Sequence, residues 1–241
     1  MDASEMAIVR MVKSAVVLSV SKAKSKVKWP RHKYSLQHSQ NLTCDLCVKI
    51  FTMSNPSKAV YAVPFGSELS EPVAFNGTKW VLLAAGGNTW SNYRHQSNVY
   101  HAYQIIKSHG IPDTNIVVMH YDDLANNKAN PTPGIVINVP NGPDVYKGVP
   151  KDYTGADVNP LNFLAVLRGD PILARNHKKV IKSGPNDHIY VYFIDHGAPD
   201  LIAFPSQYLY GEELNAQFKQ MYQDKKYAKL VINIEACNSG M

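Results

Sequence analysis

Two short segments carry side chains able to do covalent chemistry. In Tyr192-Phe193-Ile194-Asp195-His196-Gly197 an apolar run stops at a histidine, and in Ile232-Asn233-Ile234-Glu235-Ala236-Cys237 another stops at a cysteine. Continuous apolar runs read as buried parallel strands, and in open α/β sheets the reactive groups gather where such strands end. A thiol attacks as its thiolate and needs a neighbouring base, so Cys237 and His196 would form a nucleophilic dyad if the fold brings them together. Each also has a plainer meaning, as a buried structural thiol and a strand-end histidine. The residues alone leave the two readings open.

The elements that must position such a dyad can be read from periodicity. Residues 79–85 are a short apolar run ending at Gly86-Gly87, which predicts a first buried strand. Val99, Ala102, Tyr103 and Ile106 recur at helical spacing over about 98–109, and Gly110 before Ile111-Pro112 supplies the stop. Residues 115–121 read as a second strand. Residues 122–157 are rich in Asn, Pro and Gly and read as a long loop, of the kind that is functional or hides small elements. Asn159-Pro160 caps a helix that Gly169 closes. Residues 188–194 give a third strand, Leu214, Phe218, Met221 and Tyr222 mark a helix face, and 230–234 give a fourth strand. Such a β/α alternation predicts right-handed crossovers and a mainly parallel sheet.

Composition narrows the classes. The net charge of +6 over 241 residues suggests nucleic acid until it is located. Residues 1–33 hold eight Lys or Arg against Asp2 and Glu5, so the excess sits in that arm and the remainder is neutral. A solvated basic tail is the favoured meaning, with no nucleic-acid partner. Residues 1–77 show no sustained periodicity and read as leader and linker, with the ordered domain at 78–241. Residues 11–20 have the basic start of a signal peptide and too short an apolar centre, and no stretch is long enough to span a bilayer. Cys44-x-x-Cys47 lacks a second metal-ligand pair and reads as a chance pair or local disulfide. Asn41 and Asn76 begin glycosylation sequons. His101, His109, His120 and His188 show no metal-ligand spacing, and neither a metal nor an organic cofactor is expected.

Asn92-Tyr93-Arg94-His95-Gln96, Tyr121-Asp122-Asp123, Asn130-Pro131-Thr132-Pro133-Gly134, Gly148 to Gly155, Asn162 to Asp170, Asp195-His196-Gly197 and Glu235-Ala236-Cys237 together closely resemble the legumain family of asparaginyl endopeptidases. The likeness runs from Lys79 to Met241 in the same order and with similar spacing. It implies a caspase-like α/β three-layer sandwich and a peptidase that cleaves after asparagine, less readily after aspartate. It also implies acidic lysosomal, endosomal or vacuolar compartments, or secretion, and cystatin-type inhibitors as partners.

The resemblance assigns roles. Cys237 matches the nucleophile, His196 the general base, Asn92 the residue that orients the imidazole, and Gly197 the backbone donor that shares the oxyanion with Cys237. Arg94 and Glu235 match a pocket that reads both ends of a carboxamide, the guanidinium facing its oxygen and the carboxylate its NH₂. His95 is expected to line the same pocket, and Asp195 to support the site. Leucine would leave both pocket charges unpaired, and aspartate would enter when protonated.

Two alternatives stand beside this. Family members continue beyond the position of Met241 with further strands and a prodomain, so the chain is expected to be a fragment whose sheet is truncated after its fourth strand. Such a piece would lack catalysis and expose an open edge. The related glycosylphosphatidylinositol transamidase catalytic subunit shares the Asn-Tyr-Arg-His and Cys/His motifs, whereas Asp195 before His196 and Glu235-Ala236 before Cys237 are legumain-like.

Overall fold

A computed structural model describes residues 75–238 and the backbone of 46–53. The expectations for Asn41 and for Cys44-x-x-Cys47 lie outside the residues whose side chains are described. In chain order the elements are β1 (Leu46–Met53), β2 (Lys79–Ala85), α1 (Tyr93–Ser108), β3 (Ile116–Met119), α2 (Pro160–Arg168), α3 (Pro171–Arg175), β4 (His188–Ile194), β5 (Gly197–Ala198), β6 (Leu201–Ala203), β7 (Tyr208–Tyr210), α4 (Gly211–Gln223) and β8 (Lys229–Cys237).

The main sheet has the order β1-β8-β4-β2-β3. The pairs β2–β3, β2–β4 and β4–β8 are parallel, which gives the four-stranded parallel sheet that the β/α alternation predicts. Successive side chains on a strand point to opposite faces, and both faces here are buried. Leu82, Ala84, Val191, Phe193, Ile232 and Ile234 pack on one side with Phe163 of α2 and Phe218 of α4. Leu83, Tyr190, Tyr192 and Ile194 pack on the other with Val99, Tyr103 and Ile106 of α1. Helix, sheet and helix make the three-layer α/β sandwich. Each strand can therefore be apolar throughout, which is why the strands were legible as continuous runs.

Several details differ from the periodicity reading. Helix α1 starts at Tyr93 rather than near residue 98, because Tyr93 anchors its first turn to the long loop: its hydroxyl donates to the Ile137 carbonyl at 3.0 Å and accepts from the Ile137 N–H at 2.7 Å. Strand β8 runs on to Cys237, three residues beyond the expected end. Its outer edge is not open. Residues 46–53, inside the stretch read as leader and linker, pair with it antiparallel, opposite Leu230 to Cys237, and so satisfy backbone groups that an edge leaves free. Helix α3 and the small sheet β5-β6-β7 had no detectable period, being only two to five residues long.

The long loop is held by side chains rather than by regular structure. Asn130 is buried, and its amide donates to the carbonyls of Ala125 and Ile135 while its oxygen accepts from the Thr132 N–H. Around Asn159 the cap reads as expected: its side chain accepts from Asn162 N–H, Pro160 opens α2, and Gly169 at φ 74° closes it.

His120, just after β3, is fully buried. Burial pushes its pKa from 6.5 down to about 4, outweighing the Asp122 carboxylate 3.9 Å away. The folded protein thus keeps His120 neutral at a pH where the unfolded chain binds a proton. Its stability contribution is intact above pH 6.5 and is lost as the pH falls toward 4, by about 3 kcal/mol. Urea titrations at pH 7 and pH 4.5 check this: His120→Gln is expected to remove that share of the acid loss, and an identical loss in the variant contradicts it.

Candidate active site

Strands β2, β4 and β8 are parallel neighbours; β2 and β4 end at one level, and β8 runs two residues further, to Cys237. The Gly86 N–H after β2 donates to the Ile194 carbonyl at 3.0 Å, and the Asp195 N–H after β4 donates to the Glu235 carbonyl at 3.2 Å. Ile194 pairs with Glu235 in the β4–β8 register. His196 and Cys237 each lie two residues beyond that pair, which brings them to the same end of the two strands. The backbone then passes directly over the cysteine, since a Cβ on Gly197 would lie 2.5 Å from the Cys237 carbonyl oxygen and 2.9 Å from Ala236 Cβ. Glycine is required there by space alone. Beyond it the Ala203 N–H donates to the His196 carbonyl at 2.9 Å, so the small sheet fixes the histidine backbone.

The exposed His196 ring is held from the β2 side. Asn92 ends a short 3₁₀ turn (Trp90–Asn92), and its Oδ1 lies 2.9 Å from His196 Nε2. The orientation of this amide is fixed because its Nδ2 donates to the Asn88 carbonyl at 3.0 Å, leaving the oxygen for the ring. His196 Nε2 must then carry the proton, and Nδ1 is the basic nitrogen of the neutral ring.

A second histidine lies underneath. His95, in the first turn of α1, has its Nδ1 3.0 Å from Asp195 Oδ1, with side chains 1% and 4% exposed. Desolvation lowers the His95 pKa, opposed by its contact with Asp195. The two histidine rings meet edge to face at 5.0 Å. Gly86-Gly87 makes room for this pair: a Cβ on Gly86 would meet Asp195 Oδ2 at 2.6 Å, and one on Gly87 would overlap His95 Nδ1. His95, Asp195 and His196 also have the spacing to hold a cation. Ligation would have to displace the contacts that Asp195 makes to His95 and Asn92 makes to His196.

Arg94 is exposed on α1, and Glu235 on β8 is 6% exposed. Burial raises the Glu235 pKa, while a hydrogen bond from the Tyr192 hydroxyl, the Arg94 charge and the Asn98 amide pull it back. Asn98 accepts in turn from Asn138 Nδ2 at 2.7 Å. Tyr192 and Asn98 are supports that periodicity did not single out. The β4–β8 register, which pairs Tyr192 with Asn233 beside Glu235, is the signal that leads to Tyr192. Asn76 is exposed, as a glycan acceptor must be.

Cys237 is half-buried and disulfide-bonded. Its sulfur is therefore a nucleophile only after reduction. The other cysteines of the chain are Cys44 and Cys47.

Comparison with known proteins accords with this geometry. The sequence profile of the Peptidase C13 family matches residues 79–241. Legumain from Rattus norvegicus is 59% identical over 166 residues, covering 68% of this chain and 38% of that protein. Legumain from Homo sapiens is 57% identical over the same shares. A vacuolar-processing enzyme from Vicia sativa is 51% identical over 168 residues, 69% of this chain and 34% of that protein. The chain spans about 38% of the length of the legumains it matches. With more than half of its residues inside one family profile, the chain belongs to the Peptidase C13 family of cysteine peptidases.

Proposed function

We propose that residues 78–241 carry the nucleophile and base of a cysteine endopeptidase that cleaves peptide bonds after asparagine. The observation that carries this is the 2.9 Å contact from Asn92 Oδ1 to His196 Nε2, at the end of a strand that adjoins the one ending in Cys237. With Nε2 protonated, His196 Nδ1 takes the thiol proton. The Cys237 sulfur attacks the carbonyl carbon, the C–N bond breaks, and the imidazolium returns its proton to the departing amine. Water, deprotonated by the same nitrogen, then hydrolyses the thioester and frees the thiol. Backbone N–H groups of Gly197 and Cys237 are the donors assigned to the oxyanion, and the close approach of Gly197 supports that assignment.

Selectivity rests on Arg94 and Glu235. An exposed guanidinium and a buried carboxyl that sense one another's charge suit a carboxamide bound between them, oxygen toward Arg94 and NH₂ toward Glu235. An aspartate side chain would oppose the Glu235 carboxylate and enters as acid neutralises the pair, Glu235 first because burial raises its pKa. Work in an acidic lysosomal or vacuolar compartment agrees with this chemistry and with relatives named legumain and vacuolar-processing enzyme. Peptides and proteins with an accessible asparagine are the substrates, and cystatin-type proteins presenting such a residue are candidate inhibitors.

Because Cys237 is disulfide-bonded, hydrolysis of an asparaginyl reporter peptide near pH 5 is expected only after treatment with a dithiol. In the reduced protein Cys237→Ser is expected to lower kcat/KM by about 10³-fold or more. Retained hydrolysis in that variant contradicts the assignment. Glu235→Gln removes the charge that excludes aspartate, so the ratio of asparaginyl to aspartyl cleavage at pH 6 is expected to fall by about tenfold or more. An unchanged ratio places the discrimination elsewhere.

A further inference from the structure

We propose that Asp123 is a positioning residue for the His196 imidazole: its carboxylate clips Thr89 to the first turn of α1 and thereby fixes the Asn92 side chain between them. This inference rests on the peptidase reading of the site.

Asn92 has no rigid element of its own. It sits between the end of β2 and the start of α1, and its two local anchors are the Thr89 carbonyl, which accepts its backbone N–H at 3.2 Å, and the Asn88 carbonyl, which accepts its Nδ2 at 3.0 Å. Both anchors belong to a segment in an unfavourable conformation. Thr89 has φ 69° and ψ 160°, a region open in practice only to glycine and especially hostile to a β-branched residue. A backbone so placed persists only where its surroundings hold it.

Asp123 does that holding. Its Oδ2 accepts the Thr89 N–H at 2.6 Å, and its Oδ1 accepts Gln96 Nε2 at 2.7 Å. Gln96 is fully buried on α1, and the same amide nitrogen reaches the Gly87 carbonyl at 3.3 Å. Gln96 Oε1 accepts the Asp122 N–H at 2.9 Å and the Tyr100 hydroxyl at 3.0 Å. One carboxylate thus joins the residue three before Asn92 to the residue four after it, with charge-assisted bonds on both sides. Asp122, its neighbour, is engaged with Lys151 and the Tyr146 hydroxyl. Among the described residues the Asp123 carboxylate bonds to Thr89 and Gln96, and its backbone carbonyl accepts from Asn127 Nδ2, so it acts on His196 through Asn92.

The test compares Asp123→Ala, Asp123→Asn and the double variant Asp123→Ala/Thr89→Gly with the parent protein, all reduced. Active sites are counted by titration with an irreversible inhibitor that carries asparagine before its thiol-reactive group and reacts only where pocket and thiol are assembled, so that misfolded protein is excluded from the rates. Asp123→Ala is expected to lower kcat by up to about 100-fold with KM changed less than about threefold, and to shift the acid limb of the kcat/KM pH profile as the ring loses its fixed tautomer. Asp123→Asn retains one of the two bonds and is expected to fall between. Thr89→Gly relieves the conformation that needs restraint and is expected to restore part of the lost kcat. Parental kcat and pH profile per titrated site in Asp123→Ala overturn the proposal, as does an effect that appears only as a lower titratable fraction. Cys237→Ser, run in parallel, separates this failure from failure of the peptidase reading: full activity there removes the reading itself.

Discussion

Everything at the site depends on the register in which β4 lies between β2 and β8. Parallel pairing brings Ala85, Ile194 and Glu235 abreast, so the residues after β2 and β4 leave the sheet beside the last two residues of β8. Asn92, His196 and Cys237 are 104 and 41 residues apart in sequence, measured from His196, yet need no long excursion to meet. A slip of one residue in β8 would turn Glu235 and Cys237 to the opposite face and dissolve the constellation. The two apolar layers prevent that slip, because each strand buries different side chains on each side.

Space at the strand ends is as decisive as register. Gly86, Gly87 and Gly197 each sit where an added Cβ would collide with Asp195, His95 or the Cys237 backbone. Their absence of a side chain lets a buried His95–Asp195 pair lie under the exposed His196 and lets the backbone cross Cys237. Polar groups in such a place must be held, since a low-dielectric setting penalises every unpaired donor or charge. Nearer the surface the Asn92 amide is held as well: a carbonyl takes its NH₂, its oxygen faces the exposed ring, and the tautomer of His196 follows. The disulfide at Cys237 adds a redox condition on the same centre.

Much of this was legible in the chain. Buried parallel strands are apolar on both faces, so β2 and β4 could be read to the residue, and the histidine and cysteine stood out where two runs stopped. What escaped has physical reasons. The first turn of α1, Tyr93-Arg94-His95-Gln96, has no apolar period, because Gln96 and His95 are buried for their polar contacts and Tyr93 is tied to a loop 44 residues away. Strands of two or three residues in β5, β6 and β7 are too short to show alternation. The links from Thr89 to Asp123 and from Glu235 to Tyr192 and Asn98 join distant parts of the chain, and no local pattern encodes them.

The central claim is that His196 activates Cys237. The rate at which iodoacetamide alkylates Cys237 in the reduced protein, followed from pH 4 to pH 9 by mass spectrometry of the labelled peptide, reads that pairing without a substrate. A thiolate stabilised by the imidazolium reacts well below the ordinary thiol pKa of about 8.5, and His196→Ala is expected to return the reaction to that range. A single transition near 8.5, the same with and without the His196 ring, would contradict the account.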